Sequence, residues 1–193
     1  MDEILDKIPD DQEYIEDVKK YFNRNKINIV ENKEYKTSIY NFLNNTITIA
    51  NMQKKQDKIL VLVHEFIHSM QPQWLHFMNF ILSNSEIILF LYTIYLLIIG
   101  KFDFNYGALY ISTVIPSIIV RTIMEYHAVS NSLKIVKKIL KKYISDYEIK
   151  VLYNYYDNTV KKYSLLFYLQ LNIGKLIRLF IILIVYLNVS NLI

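Results

Sequence analysis

Hydrophobic residues are concentrated in three long segments of this 193-residue chain. Residues 81–100 are apolar apart from a polar stretch near their start, residues 106–120 are apolar again, and a third segment runs from residue 163 to the end. The chain has only three glycines and three prolines, which favours long helices. The first two segments therefore predict a helical hairpin in a bilayer. In the third, the expected membrane helix is Leu179 to Val189, after an interfacial piece.

Composition leaves one alternative open and excludes some chemistry. None of the three segments clearly reaches the about 20 uncharged residues of an ideal membrane span, so buried helices of a soluble bundle are the alternative. The chain has no cysteine, which excludes disulfides and thiolate metal ligands. Its formal net charge of +4 is modest and its basic residues are clustered locally, so we expect no nucleic-acid partner.

An HExxH motif, formed by His64, Glu65 and His68, lies in an apolar run before these segments. Residues four apart on an α-helix lie nearly above one another, so both imidazoles can face one ion. Glu65 lies about 100° further round the helix, where it can reach a metal-bound water without being a ligand. The motif predicts one zinc ion per chain, with His64 and His68 as ligands and Glu65 as the base of a hydrolase. The alternative is two core histidines beside a chance glutamate.

A catalytic zinc needs a third protein ligand. The histidine of the HExxHxxGxxH pattern is excluded, because Gln71 and Trp74 occupy its glycine and final histidine positions. The other common solution is a glutamate on a later helix, and Glu125 is the candidate because it directly follows a hydrophobic segment. An ordinary surface carboxylate is the alternative. Three other residues are poorly placed for the role: His76, Glu86 and Asp103.

A hydrolytic site also needs a donor to the oxyanion. The sequence singles out no residue for this role, and the candidates are Arg121, Tyr126 and His127. His127 is also a rival metal ligand, but positions i and i+2 of a helix point apart. We therefore do not expect Glu125 and His127 to bind the same ion.

The region before the motif predicts a small α+β unit. Asp10 to Asn25 has apolar residues at helical spacing, Ile27 to Val30 is a short β-branched run, and the motif helix is expected from about Gln56 to Met70. Thr37 to Phe42 and the following Thr46 to Ala50 predict a hairpin with an asparagine-rich turn. An extended substrate is expected to pair with an edge strand formed by Thr46, Ile47, Thr48, Ile49 and Ala50. An ordinary structural hairpin is the alternative.

The distribution of lysines predicts the orientation in the membrane. If Glu125 shares an ion with the two histidines, the intervening hairpin must leave and return to the same side. The returning region is rich in lysine, whereas the hairpin tip carries only Lys101. The positive-inside rule then places the zinc at the cytoplasmic face. The same lysines also fit the solvated face of an amphipathic helix, Asn131 to Tyr147.

Two groups of membrane metallopeptidases resemble this order of elements. The segment His64–Gln71 fits the HExxH-A-x-Q motif of the YugP-type neutral zinc metallopeptidases. Glu125–Ser130 fits in part their E-F-D-A-S segment, and also resembles the E-x-x-A-D-like motif of the HtpX-type heat-shock peptidases. The resemblance implies a gluzincin-like site with a glutamate as third ligand.

The chain departs from both families at one orienting group. The HtpX-type motif has an aspartate where this chain has Val129, and the YugP-type motif has one where it has His127. Loss of such a group often weakens metal affinity or activity by about ten- to a hundredfold. Ser130 and Asn131 are the candidates to replace it.

Together these patterns predict a mostly α fold with a small N-terminal β-hairpin or sheet (α+β). A zincin-like unit with the HExxH helix is expected in residues 1–80, a transmembrane hairpin in 81–120, a helical region with the third ligand in 121–162, and a C-terminal interfacial and transmembrane segment in 163–193. The expected function is that of an integral membrane zinc endopeptidase, cleaving proteins or peptides at the cytoplasmic face of the lipid bilayer. The alternative is a catalytically inactive membrane interaction protein of the same fold.

Overall fold

The computed structural model describes residues 2–9, 11–32, 37–50 and 55–190, with side chains described outside residues 2, 56, 104, 157–167, 186 and 188–190. Asp10 and residues 191–193, which the predicted first helix and C-terminal segment include, lie outside this part. The described elements are mostly helical, in this order: α1 (Asp2–Leu5), α2 (Asp11–Phe22), β1 (Asn28–Asn32), β2 (Ile39–Asn41), β3 (Thr46–Ala50), α3 (Lys55–Met70), α4 (Gln73–Ile98), α5 (Phe104–Leu140) and α6 (Asp146–Ser190).

The chain divides into two compact units. The first unit comprises Met1–Gln71 and Met124–Lys162, and the second comprises Pro72–Ile123 and Tyr163–Ile193. The first segment of the first unit ends at Gln71, and α4 begins directly after Pro72, a residue favoured near the start of a helix. Both α5 and α6 continue from one unit into the other.

The predicted hairpin is present in the first unit, but its second strand is not an edge. β2 and β3 pair antiparallel, with Asn41 opposite Thr46, and Asn45 in the turn has a φ of 53°. On its other side β3 pairs parallel with β1, so the strand order is β1-β3-β2. The expectation that Thr46–Ala50 forms an edge strand was therefore wrong. The sequence of β1 does not indicate locally which strand it pairs with. Because β3 lies between β1 and β2, an outer position in the sheet belongs to β2 and not to β3.

The motif helix α3 is fixed by the core of the first unit. Val63 and Phe66 are fully buried, and the Phe66 ring stacks on Phe22 of α2 with centroids 5.4 Å apart. Ala128 of α5 and Leu152 of α6 belong to the same core. Because apolar neighbours hold one side of α3, its histidines are left on another side at a fixed angle.

The second unit contains helices with the length and composition of membrane spans. Three such stretches occur within the described residues: Gln73–Ile98, Asn105–Leu140 and Tyr168–Val185. The second of them belongs to the second unit only up to Ile123. Only 17% of the apolar window is buried in the first and in the third. Most apolar side chains of these two helices therefore face outward, as they do where lipid covers them. A membrane association of this unit is compatible with this arrangement.

The boundary between α5 and α6 differs from the predicted helix Asn131 to Tyr147. α5 ends at Leu140, and α6 begins at Asp146 behind a capping box. In this box the Ser145 backbone N–H donates to the Glu148 carboxylate over 2.9 Å, and the Glu148 backbone N–H donates to the Ser145 hydroxyl over 3.4 Å. α6 then continues through Gly174 without a break, so the predicted interfacial piece and membrane helix form one helix.

Candidate metal centre

The two motif histidines face each other on α3. One helical turn separates His64 from His68, and their Nε2 atoms lie 3.1 Å apart. The His68 side chain is almost buried, whereas that of His64 is partly exposed. One side of the pair is therefore accessible from the surface of the first unit.

Glu125 completes the group from α5. Its Oε2 lies 3.3 Å from Nε2 of His64 and 3.4 Å from Nε2 of His68. Among the described residues this is the only set of three such side chains whose ligand atoms lie close enough to share an ion. The structure thus brings together the three ligands expected from the sequence, although Glu125 lies 57 positions after His68 (125 − 68).

The distances within this triangle fit a metal ion. Zinc binds imidazole nitrogen at about 2.0–2.1 Å, so the ligand atoms of a regular tetrahedral site lie about 3.3–3.4 Å from one another. The observed separations are 3.1, 3.3 and 3.4 Å. Two imidazole nitrogens and one carboxylate oxygen are also a donor set that divalent transition metals accept, with a fourth position left open. The group can therefore hold a metal ion without rearrangement.

Gln71 links the two ligand-bearing helices, a role that sequence analysis did not assign. Nδ1 of His68 donates to the Gln71 amide oxygen over 3.0 Å, and the Gln71 amide nitrogen donates to the Met124 carbonyl over 2.7 Å. The side chain is buried, and Met124 immediately precedes Glu125. A proton on Nδ1 leaves the lone pair of Nε2 free to bind a metal. The only sequence signal was the glutamine of the HExxH-A-x-Q motif, three positions after His68.

Glu65 is buried beside the sheet. It is 6% exposed, and its carboxylate accepts a hydrogen bond from the Tyr40 backbone N–H in β2. Burial raises the pKa of the Glu65 carboxyl, and this effect exceeds the opposing influence of His64 and His68. A raised pKa brings the group closer to the range in which a carboxylate accepts and returns a proton near neutrality. The site thus holds a buried carboxylate next to the ligand group.

The pKa of His68 is subject to opposing effects. Burial lowers it, but the hydrogen bond and negative charge of Glu125 outweigh burial, so the pKa of the imidazole is raised. A bound cation would act in the opposite direction, because metal ligation requires the neutral ring.

The remaining site candidates do not join the group. Tyr126 is 64% exposed, and His127 is also exposed. Successive residues of a helix lie about 100° apart, so these two residues point in other directions than Glu125, which they follow. The Asn131 amide donates to the His127 carbonyl of its own helix over 2.8 Å. Arg121 belongs to the second unit. None of the four has a hydrogen bond or ion pair to the ligand group among the described residues.

Comparisons of the chain with protein-family models, with curated proteins and with solved structures gave no match. The resemblance to YugP-type and HtpX-type peptidases therefore stays a prediction from the motifs. The site itself consists of a possible ligand triangle, a buried carboxylate beside it and an amide that links the two ligand-bearing helices.

Proposed function

We propose that this chain is a membrane-embedded zinc-dependent endopeptidase. The observation that carries the proposal is the triangle of His64, His68 and Glu125, with the Glu65 carboxylate buried next to it. Hydrolytic zinc sites use this combination of three protein ligands, an open position and a carboxylate base. The proposed location at the cytoplasmic face rests on the lysine-rich segment that follows Glu125.

The proposed role of each residue follows from its chemistry. Zinc, when held by His64, His68 and Glu125, supplies a Lewis acid that activates water and polarises a peptide carbonyl. Glu65 accepts a proton from the attacking water and returns it to the leaving amine. Gln71 keeps His68 in the tautomer that presents Nε2.

The substrate class is an extended protein or peptide segment. Extended chains bind by adding a strand to a sheet edge. Because β3 is paired on both sides, the proposed edge moves to β2, whose Tyr40 backbone N–H donates to Glu65. A peptide docked along β2 would therefore run beside the carboxylate that handles the proton. The three apolar helices make membrane proteins the natural substrates.

Metal content tests the ligand group directly. Full-length protein is purified in detergent under zinc-replete conditions, and its zinc is measured by elemental analysis. We expect near-stoichiometric zinc in the intact chain, and its loss in His64→Ala and in Glu125→Ala. His127→Ala is the matched control, because His127 is an exposed histidine two positions from Glu125, and it should keep the metal. Zinc that survives both ligand changes would refute the site.

Activity is tested separately from metal binding. Glu65→Gln should keep its zinc and lose cleavage of an unfolded protein substrate, because the amide cannot accept the proton. An intact chain that holds zinc but cleaves no protein would favour the alternative, a catalytically inactive membrane interaction protein. One observation supports that alternative: His127 and Val129 stand where the YugP-type and HtpX-type motifs, respectively, have an aspartate.

A further inference from the structure

The charged residues of the apolar stretches in the second unit form a single polar cluster. Gln73–Ile98 contains only Glu86, residues 105–123 contain only Arg121, and Tyr168–Val185 contains Lys175 and Arg178. These four side chains therefore carry one negative and three positive charges. Charged groups within membrane-length helices are rare and usually have a functional role.

The Glu86 carboxylate accepts three hydrogen bonds within this cluster. It is inaccessible and accepts two hydrogen bonds from the Arg178 guanidinium, at 2.7 and 2.8 Å. The Tyr110 hydroxyl donates a third over 2.8 Å. Arg178 and Glu86 neutralise each other in a bidentate pair, which leaves Lys175 and Arg121 without a carboxylate partner among the described residues.

Lys175 is buried with hydroxyls as its partners. Only 7% of the residue is exposed, and its ammonium donates to Ser83 over 3.1 Å and to Ser117. No carboxylate of a described residue lies within ion-pair distance of it. Arg121, Arg178 and Glu86 are charged groups near enough to act on the Lys175 ammonium. An ammonium has three donors, so one N–H remains without a partner among the described residues beyond the two serines.

The surroundings of Lys175 suit an anion from the bilayer. Arg121 follows Ser117 by four positions and so lies one turn along the same face of α5. Gly174, the residue before Lys175, is exposed. A Cβ atom added to it would have one neighbour within 4 Å, the Arg178 guanidinium at 3.4 Å. The outward apolar faces of the same helices can contact acyl chains. Clusters of basic side chains between membrane helices are among the arrangements that bind anionic lipid headgroups.

We propose that Lys175, Ser83, Ser117 and Arg121 bind the phosphate group of an anionic phospholipid. The lipid supplies the negative charge that the cluster lacks, and its acyl chains cover the apolar faces of α4 and α6. All four of these residues belong to the second unit, and none of them is a candidate metal ligand. Lipid binding can therefore be measured without bound zinc or peptidase activity.

The test follows the thermal unfolding midpoint of the detergent-solubilised full chain. It is titrated with short-chain phosphatidylglycerol, with short-chain phosphatidylcholine, and with inorganic phosphate at matched ionic strength. We expect phosphatidylglycerol to raise the midpoint in a saturable manner. Lys175→Met should raise its half-saturating concentration at least about tenfold, as loss of a charge-assisted hydrogen bond does. Lys101→Met, a lysine outside the cluster, should respond like the intact chain.

A second variant keeps the proposal testable if Lys175→Met does not fold. Arg121 is only partly buried, and Arg121→Gln should weaken the phosphatidylglycerol response in the same direction. Equal responses to both lipids in every variant would overturn the proposal. If inorganic phosphate and phosphatidylglycerol half-saturate the rise in midpoint at equal concentrations, the site binds free phosphate and the proposal of a lipid ligand is overturned. If Lys175→Met lowers the unfolding midpoint but leaves the response to phosphatidylglycerol unchanged, Lys175 stabilises the fold and does not bind the lipid.

Discussion

Gln71 offers the sharpest test of the candidate metal centre, because one side chain supports both ligand-bearing helices. Gln71→Met keeps a similar length and removes two buried hydrogen bonds, the 3.0 Å bond from His68 and the 2.7 Å bond to the Met124 carbonyl. Each bond contributes about 0.5–1.5 kcal/mol net, so the free energy of unfolding should fall by about 1–3 kcal/mol. The chain should still fold and remain measurable.

The effect of Gln71→Met on metal affinity has a separate origin. Without its amide oxygen, Nδ1 of His68 loses the acceptor that fixes the tautomer. Loss of such a partner typically weakens metal binding by about ten- to a hundredfold. Zinc affinity is measured by competition with a chromophoric chelator, and stability is measured on the metal-free protein by denaturant unfolding.

A matched variant separates the two functions of Gln71. Gln71→Glu keeps an acceptor for His68 but loses the donor to Met124, so it should lower stability while retaining zinc affinity within about tenfold. Gln73→Met, at an exposed position two residues later, is the control and should change neither quantity. A Gln71→Met protein that binds zinc as tightly as the intact chain would refute the positioning role.

Three further outcomes are expected. Glu65→Gln should lower peptidase activity by about a hundredfold or more with zinc content unchanged, and equal activity in the two proteins would exclude Glu65 as the base. Phe66→Ala should lower the free energy of unfolding by about 3–5 kcal/mol in denaturant titration, because the stacked ring is fully buried against Phe22; a loss below about 1 kcal/mol would contradict the packing. A hydrogen bond from the Tyr143 hydroxyl lowers the pKa of Asp17, so the stability that Asp17 contributes is present above about pH 4 and is lost as the pH falls further. The difference in unfolding free energy between the intact chain and Asp17→Asn should therefore shrink in acid, and a difference independent of pH from 7 to 3 would contradict this role of the Asp17 carboxylate.

Local spacing in the sequence determined much of the secondary structure. The apolar periodicity of α2, the asparagine-rich turn before β3 and the motif helix all appear close to their predicted positions. The long apolar stretches likewise predicted three helices with the length and composition of membrane spans. Each of these features depends on residues within a few positions of one another, so side-chain size and backbone preference are sufficient to indicate it.

The same local rule explains what the sequence indicated about the metal centre. His64 and His68 are four positions apart, and helix geometry alone places their imidazoles side by side. Glu125 was selected by its chemistry and by the hydrophobic segment before it, and tertiary packing is what brings its carboxylate within 3.4 Å of both rings.

Only the tertiary structure decided the contacts between distant parts of the chain. The parallel pairing of β1 made β3 a central strand, the 53 positions between Gln71 and Met124 hid their hydrogen bond, and 92 positions separate the paired Glu86 and Arg178. No periodicity encodes such partners, because they depend on the angles at which whole helices and strands pack. The sequence therefore determined which elements form and which side chains can bind a metal, while packing determined which of those side chains meet.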